Sequence, residues 1–176
     1  MTVLDVSQIN ILIVEDNPHF RTLVRTILEA VGVGSIEESR DGAEAIEILK
    51  NFDANLAILD WKMDGIDGIE FVRRIRTSNN SPNKFLPIIM VTGYTEDNLV
   101  KEARDAGIND FLAKPISASS LMSRITSVLG APQSYIQTKD YFGPDRRRVQ
   151  EAFADPDRRA EQMNLVPSGV GKAENQ

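Results

Sequence analysis

The sequence predicts an α/β fold in which a five-stranded parallel sheet is covered by helices on both faces. Five short apolar runs alternate with segments of helical periodicity along the first 130 residues. The run INILIV at 9–14 is rich in β-branched residues, which is typical of strands buried on both faces. Because strand–helix units repeated in this way form parallel sheets with helical crossovers, the predicted architecture is doubly wound.

The first strand is followed by a clear helix start. Asn17 is placed as the N-cap and Pro18 as the first helical residue. An apolar stripe at helical spacing follows, formed by Phe20, Leu23, Val24, Ile27, Leu28 and Val31. Gly32 and Gly34 end this helix, and a short second strand is predicted at 35–39.

The next unit has a capping signal and a strongly apolar strand. Asp41 with Glu44 three residues later resembles a capping box, which opens a helix through about Phe52. The third strand is LAILD at 56–60, and it ends in a carboxylate.

The remaining elements follow the same alternation. A helix at 70–76, a strand at 87–91, a helix at 96–106, a strand at 110–113 and a helical stripe at 121–129 complete the pattern. The predicted domain therefore spans residues 8–130.

Residues 131–176 carry too few apolar side chains for a second core, so we expect a mostly unstructured C-terminal tail. The tail contains a near repeat with PDRR-type motifs, FGPDRRR at 142–148 and FADPDRR at 153–159. Two interpretations stay open. The tail is either a solvated extension or a linear motif in which Phe142 and Phe153 anchor on a partner and the arginines contact acidic groups.

Composition excludes several classes of protein. The chain has no cysteine and one histidine, His19, which excludes disulfides, thiol catalysis and the usual zinc sites. No apolar run is long enough to span a bilayer, and the start MTVLDVSQIN lacks signal-peptide features, so we expect no membrane contact and a cytoplasmic location. The net charge of −6 lies in residues 1–130, which argues against direct DNA binding.

Polar side chains stand at the ends of four predicted strands. Glu15 and Asp16 end the first strand, Asp60 the third, Thr92 the fourth and Lys114 the fifth. Each alone is compatible with a cap or a solvated charge. Because ligands of such sheets bind beyond the carboxyl ends of the strands, their coincidence at one edge indicates a functional site.

The chemistry of these groups indicates phosphoryl transfer. Three converging carboxylates repel each other unless a cation or protons are bound, and an all-oxygen ligand set favours Mg²⁺. A lysine and a threonine beside the cation can hold the oxygens of an anion. The sequence has no P-loop and no GxGxxG motif, so the nucleophile is expected on the protein, with Asp60 as the candidate.

Over residues 8–130 the sequence resembles the receiver (CheY-like) domain of bacterial two-component response regulators. Four ordered motifs carry this resemblance: ILIVEDN at 11–17, LAILDWKMDGIDG at 56–68, IIMVTGY at 88–94 and DFLAKP at 110–115. The resemblance implies the flavodoxin-like strand order, for which CheY is a known example.

The resemblance also implies roles for the residues at the site. Asp60 is the implied phosphoacceptor, and Glu15 and Asp16 are implied to bind Mg²⁺ together with Asp60 and the backbone carbonyl of Lys62.

Thr92 is implied to hydrogen-bond the phosphoryl group and Lys114 to pair with it. The peptide bond between Lys114 and Pro115 is expected to be cis. Phe111 occupies the aromatic switch position of the family, although a plain core aromatic is an alternative interpretation.

Lys62 and Tyr94 stand two residues beyond Asp60 and Thr92, where the family tunes dephosphorylation. Neither is an obvious water-orienting group, so we expect a long-lived phosphoryl state. Asp64 replaces a proline that is frequent in the family, which favours a looser loop.

The implied function is that of a phosphorylation-activated switch and not of a metabolic enzyme. A histidine kinase or histidine phosphotransfer protein is the expected donor, and a downstream protein target the expected output. We expect a monomer, or a weak dimer through the face of the fourth helix and fifth strand. The alternatives are an aspartate-nucleophile phosphohydrolase, which would want an aspartate where Lys62 stands, and a phosphorylation-independent receiver-like adaptor.

Overall fold

The computed structural model contains a five-stranded parallel sheet and five α-helices. The strands are β1 (Asn10–Val14), β2 (Ser35–Ser39), β3 (Leu56–Asp60), β4 (Ile88–Thr92) and β5 (Asp110–Ala113). The helices are α1 (Pro18–Ala30), α2 (Gly42–Leu49), α3 (Gly68–Thr77), α4 (Asp97–Ala106) and α5 (Ala118–Gly130). The structure describes residues 4–93, 97–131, 133–146 and 164–166, with residue 97 and residues 164–166 described by their backbone alone.

The strand order is β2-β1-β3-β4-β5, and all four pairings are parallel. This confirms the predicted flavodoxin-like sheet. Asp60 lies opposite Val91, and Thr92 lies opposite Ala113, so the carboxyl ends of the central strands are level. β3 lies in the middle of the sheet and is buried along its whole length.

Two apolar cores cover the two faces of the sheet. Alternate residues of each strand point to opposite faces, so Ile11 and Ile13 join the core beneath α1 and α5, whereas Leu12 and Val14 join the core beneath α2, α3 and α4. The central strands are continuous apolar runs in the sequence because helices cover both faces of the sheet.

The predicted helix starts are present with their capping bonds. The Asn17 side chain accepts hydrogen bonds from the backbone N–H groups of His19 at 2.9 Å and Phe20 at 3.1 Å. The Asp41 side chain accepts one from the backbone N–H of Glu44 at 2.8 Å. These bonds satisfy first-turn donors that have no partner within the helix.

The loop after β3 folds back closely on the strand that carries Asp60. The Gly68 backbone N–H donates to the Trp61 carbonyl at 2.8 Å. A Cβ atom at position 68 would overlap the carbonyl oxygen of Asp60. Glycine is therefore required here, and the close approach fixes the backbone of Asp60.

Part of the C-terminal tail has regular structure. Three short strands, β6 (Tyr135–Gln137), β7 (Phe142–Pro144) and β8 (Asn164–Val166), form an antiparallel sheet in the order β7-β6-β8. The sequence predicted a mostly unstructured tail, and these three short strands are its regular elements within the described residues. The second PDRR-type motif, with Phe153, lies outside the described residues.

The tail packs on the main domain through aromatic rings. Phe85, in the loop before β4, contacts Tyr135 at a ring-centroid distance of 5.1 Å and Phe142 at 5.3 Å, both edge to face. The Tyr135 hydroxyl donates to the Phe85 carbonyl at 2.7 Å. The tail needs few apolar residues of its own because the domain supplies a ring against which its aromatic side chains pack.

Beneath this cluster lies Arg76, whose side chain is 1% exposed. Its guanidinium donates to the carbonyl oxygens of Gly107 at 2.9 Å and Lys84 at 2.8 Å, and to the side-chain oxygen of Asn109 at 3.1 Å. The Tyr135 ring lies 5.5 Å from the guanidinium carbon. The tail therefore covers a buried cation that donates hydrogen bonds to these three uncharged oxygens.

Within the described part of the chain, no helix is both long and apolar enough to cross a membrane.

Candidate functional site

The carboxyl edge of the main sheet brings together the polar residues predicted from the strand ends. Glu15 and Asp16 follow β1, Asp60 and Thr92 are the last residues of β3 and β4, and Lys114 follows β5 directly. Glu15, Asp60 and Thr92 are buried, whereas Asp16 is exposed. The site is thus built on rigid strand ends with one side open to solvent.

Three carboxylates converge at this edge. One oxygen each from Glu15, Asp16 and Asp60 lies within 4.8 Å of the others. An oxygen-only group of this size, with one exposed member, suits Mg²⁺, which takes a few protein oxygens and keeps several waters. These residues therefore fit the cation that the sequence predicted.

Lys114 supplies the positive charge on the other side of Asp60. Its Nζ lies 3.0 Å from Asp60 Oδ1 and 3.3 Å from Glu15 Oε2. The ring of Phe20 faces the same ammonium, with its centroid 4.0 Å from Nζ. The ammonium is therefore held between two carboxylates and one aromatic face.

Burial sets the protonation behaviour of the site. Desolvation is the main cause that raises the pKa of both Asp60 and Glu15. Repulsion from Asp16 raises the pKa of Asp60 further, and repulsion from Asp60 does the same for Glu15. The Lys114 ammonium acts in the opposite direction on both. Burial also acts to lower the pKa of Lys114, but its hydrogen bond and attraction to Asp60, with a smaller attraction to Glu15, leave that pKa raised. The two carboxyl groups therefore gain from a cation, and the lysine stays charged.

An open cleft gives access to Asp60. It is lined by Asp60, Lys62, Thr92, Gly93 and Lys114. The backbone on the far side is fixed, because the Lys114 N–H donates to the Thr92 carbonyl at 2.8 Å. The cleft is therefore lined by residues that carry a carboxylate, a hydroxyl and an ammonium.

The remaining predicted residues are placed as follows. The side chain of Lys62 is exposed at the cleft, and the peptide bond between Lys114 and Pro115 is cis. Phe111 is half-buried against the core beneath α4, and the Arg104 guanidinium carbon lies 5.9 Å from its ring centroid. Tyr94 lies outside the described residues.

Sequence reasoning missed the contacts that three residues at the start of α1 make with the site, namely those of Asn17 and Arg21 with Glu15 and that of Phe20 with Lys114. The Asn17 backbone N–H donates to Glu15 Oε1 at 3.0 Å, and Arg21 Nη1 donates to the Glu15 carbonyl at 2.6 Å. Phe20 was assigned only to the apolar stripe of the first helix. The Asn17-Pro18 helix start could have indicated that the first turn of α1 belongs to the site, because it follows the acidic pair directly.

Comparison with known proteins gives a consistent result. Residues 11–126 match the family model for the response regulator receiver domain. The chemotaxis protein CheY-3 of Vibrio cholerae is 32% identical over 118 residues, which cover 67% of this chain and 89% of that protein. The chemotaxis protein CheY of Pseudomonas aeruginosa is 31% identical over 118 residues, which cover 67% of this chain and 94% of that protein.

Solved structures show the same similarity. The chemotaxis protein CheY4 of Vibrio cholerae superposes with a TM-score of 0.64 at 30% identity, covering 69% of this chain and 98% of that one. The receiver domain of a sensor histidine kinase from Pseudomonas aeruginosa gives a TM-score of 0.62 at 27% identity, with the same coverage. That second structure has a magnesium ion coordinated in its active-site cleft.

Proposed function

This chain belongs to the response regulator receiver domain family, and on that basis we propose that Asp60 is its phosphoacceptor in two-component signalling. The observation that carries the proposal is the surroundings of Asp60. Its carboxylate ends the central strand, has an ammonium at 3.0 Å, and shares an edge with two further carboxylates.

The proposed donor is a phosphohistidine on a histidine kinase or a histidine phosphotransfer protein. An oxygen of the Asp60 carboxylate forms a bond to phosphorus while the P–N bond to the donor imidazole breaks, and the imidazole nitrogen keeps the bonding electron pair. The product is an acyl phosphate on Asp60. The chain thus catalyses only its own phosphorylation and dephosphorylation.

The residues around Asp60 have distinct proposed roles. The Lys114 ammonium, which lies 3.0 Å from Asp60 Oδ1, balances the charge on the phosphoryl oxygens. The Thr92 hydroxyl, at the end of the adjacent strand, donates a hydrogen bond to the phosphoryl group. Phe111 is the proposed switch residue, whose side-chain rotamer changes with the position of Thr92.

Glu15, Asp16, Asp60 and the backbone carbonyl of Lys62 would hold Mg²⁺. When bound, this ion neutralises the clustered carboxylates and the oxygens of the transferring group.

The proposed output is a protein contact. Phosphorylation shifts the population of the chain toward a state that binds a downstream target. The face of α4 and β5 is the proposed surface for this target or for a weak dimer, and the cytoplasm is the proposed location. Lys62 stands where a hydrolase of the aspartate-nucleophile class would need a second aspartate, which disfavours that alternative.

The test is uptake of phosphate from acetyl phosphate with Mg²⁺, measured by intact mass. Wild type is expected to gain the mass of one phosphoryl group, and Asp60→Ala is expected to gain none. Asp64→Ala is the matched control, because Asp64 is exposed in the same loop and lies outside the acidic cluster. Absence of a mass gain on wild type, or an equal gain on Asp60→Ala, would refute the proposal.

A further inference from the structure

Phe20 makes a contact with the site that the family role of Lys114 does not require. Its ring centroid lies 4.0 Å from Lys114 Nζ, well inside the distance of about 6 Å at which cation–π attraction operates. Phe20 is half-buried and packs beside the core between α1 and α5. One edge of the ring therefore serves packing while one face meets the ammonium.

The position of the ring is fixed by the same turn that carries the acidic pair. The Phe20 backbone N–H donates to the Asn17 side chain at 3.1 Å, and the Asn17 N–H donates to Glu15 Oε1 at 3.0 Å. Arg21 Nη1 also binds the Glu15 carbonyl. The segment 15–21 is thus one hydrogen-bonded unit, which fixes the backbone from which the Phe20 ring reaches Lys114.

The chemistry of the three neighbours of the ammonium differs. Asp60 and Glu15 are carboxylates, and the pairing of Lys114 with Asp60 has to change when Asp60 becomes an acyl phosphate. The ring carries no proton that titrates and does not bind phosphate or Mg²⁺. Its ability to attract an ammonium therefore does not depend on the chemical state of Asp60.

We propose that Phe20 is a positioning residue that keeps the Lys114 ammonium beside Asp60 through a cation–π contact while the lysine changes partner from the carboxylate to the phosphoryl group. This inference rests on the proposed function of Asp60 and Lys114. It predicts that loss of the aromatic face slows phosphorylation, because the ammonium then samples positions away from the phosphoryl oxygens. The expected decrease is about threefold to thirtyfold, the range that corresponds to a partly desolvated cation–π contact.

The experiment compares phosphorylation rates from acetyl phosphate and Mg²⁺ in a series at position 20. Phe20→Leu removes the aromatic face, Phe20→Tyr keeps it, and ring-fluorinated phenylalanines weaken its negative potential with little change in shape. Phe52→Leu is the matched control, since Phe52 is also half-buried but precedes β3 at the opposite edge of the sheet. We expect slow transfer in Phe20→Leu, near-normal transfer in Phe20→Tyr and Phe52→Leu, and a graded decrease with fluorination.

A second measurement does not depend on phosphate. The ring current of Phe20 should shift the side-chain methylene protons of Lys114 upfield in wild type, and Phe20→Leu should abolish this shift. A rate in Phe20→Leu equal to wild type, or rates that do not respond to fluorination, would overturn the positioning role and leave packing alone. Absence of the ring-current shift would overturn it as well. Failure of the proposed function would look different, because wild type itself would then take up no phosphate.

Discussion

At the scale of single residues, Lys62 is the side chain at the cleft that we expect to influence the lifetime of the phosphoryl group. It lies two positions beyond Asp60, is exposed, and lines the opening through which water would reach the proposed acyl phosphate. An ammonium on a flexible stem donates hydrogen bonds but accepts none, so it cannot take a proton from an attacking water.

We therefore expect a long-lived phosphoryl group on wild type and a shorter lifetime in Lys62→Asn, by about tenfold or less, since orienting water is only part of general-base catalysis. The measurement is the decay of the phosphorylated mass after the donor is removed. Rapid decay of wild type together with an unchanged rate in Lys62→Asn would contradict this prediction.

Asp60 is expected to contribute to the pH dependence of stability when no metal is bound. Burial raises the pKa of its carboxyl group, so the folded protein holds that proton more tightly than the unfolded chain. The free energy of unfolding then falls as the pH rises from about 4, the ordinary aspartate pKa, through the raised value. Each pKa unit of displacement corresponds to about 1.4 kcal/mol. The Lys114 contribution is constant over this range, because its raised pKa lies far above it.

In the presence of a chelator, Asp60→Asn should unfold at a higher temperature than wild type at neutral pH. The difference should shrink as the pH falls toward about 4, where wild type becomes neutral at this position as well. Thermal unfolding curves across this pH range provide the measurement. A difference that stays constant, or that grows toward acid, would show that burial does not govern this carboxyl group.

At the scale of elements, the hairpin of β6 and β7 is the chain's main addition to the five-unit fold. Phe142, which in one of the two interpretations of the tail anchors on a partner, contacts Phe85 and Tyr135 of its own chain. Arg146 pairs with Asp105 of α4 at 2.8 Å and lies over the ring of Tyr141. The described residues of the first PDRR-type motif, 142–146, therefore make contacts within their own chain.

Phe142→Ala is expected to lower the free energy of unfolding by about 1–3 kcal/mol. This decrease is smaller than that expected for a fully buried phenylalanine, because the Phe142 ring is half-buried. Lys139→Ala is the control, since Lys139 is exposed in the same hairpin and should change stability by less than about 0.5 kcal/mol. Denaturant unfolding followed by the single tryptophan, Trp61, in the main core supplies the measurement. Equal stabilities for the two variants would mean that the hairpin does not stabilise the domain.

At the scale of the whole molecule, the tail and the domain share one buried network. Arg76 of α3 reaches the carbonyl of Gly107 after α4, and Tyr135 of the tail covers it. Gly107 has a φ of +108°, and a Cβ there would lie 3.1 Å from both Arg76 and the Phe142 carbonyl. Removing the tail would therefore uncover a cation together with the ring of Phe85.

A chain ending at residue 131 should be less stable than the full chain, with faster hydrogen exchange at the end of α4. Uptake of phosphate at Asp60 should persist, because the described tail residues do not line the cleft. A pull-down of partners with both forms then tests whether the second motif has an intermolecular role. Unchanged stability and exchange after truncation would refute the proposed sealing of Arg76.

The site was predictable from sequence because its main residues end strands. Glu15, Asp60 and Thr92 each follow an apolar run that is visible locally, and parallel strands bring such ends to one edge whatever the side chains between them. The contacts of Phe20 with Lys114 and of Arg76 with Tyr135 were not predictable. Each joins distant segments through side-chain packing, and an apolar stripe or a lone arginine has the same local pattern whether or not it has such a partner.

The sequence by itself determined the five strand–helix units, their parallel arrangement and the carboxyl-edge cluster of acids, hydroxyl and ammonium. These follow from the alternation of apolar runs and from the residue that ends each run, both of which are local properties. Only the tertiary structure decided that the Phe20 ring faces the lysine and that the tail seals a buried arginine. Those contacts depend on how separate elements meet in space. The tail has few apolar residues of its own, and the domain supplies the surface against which it packs.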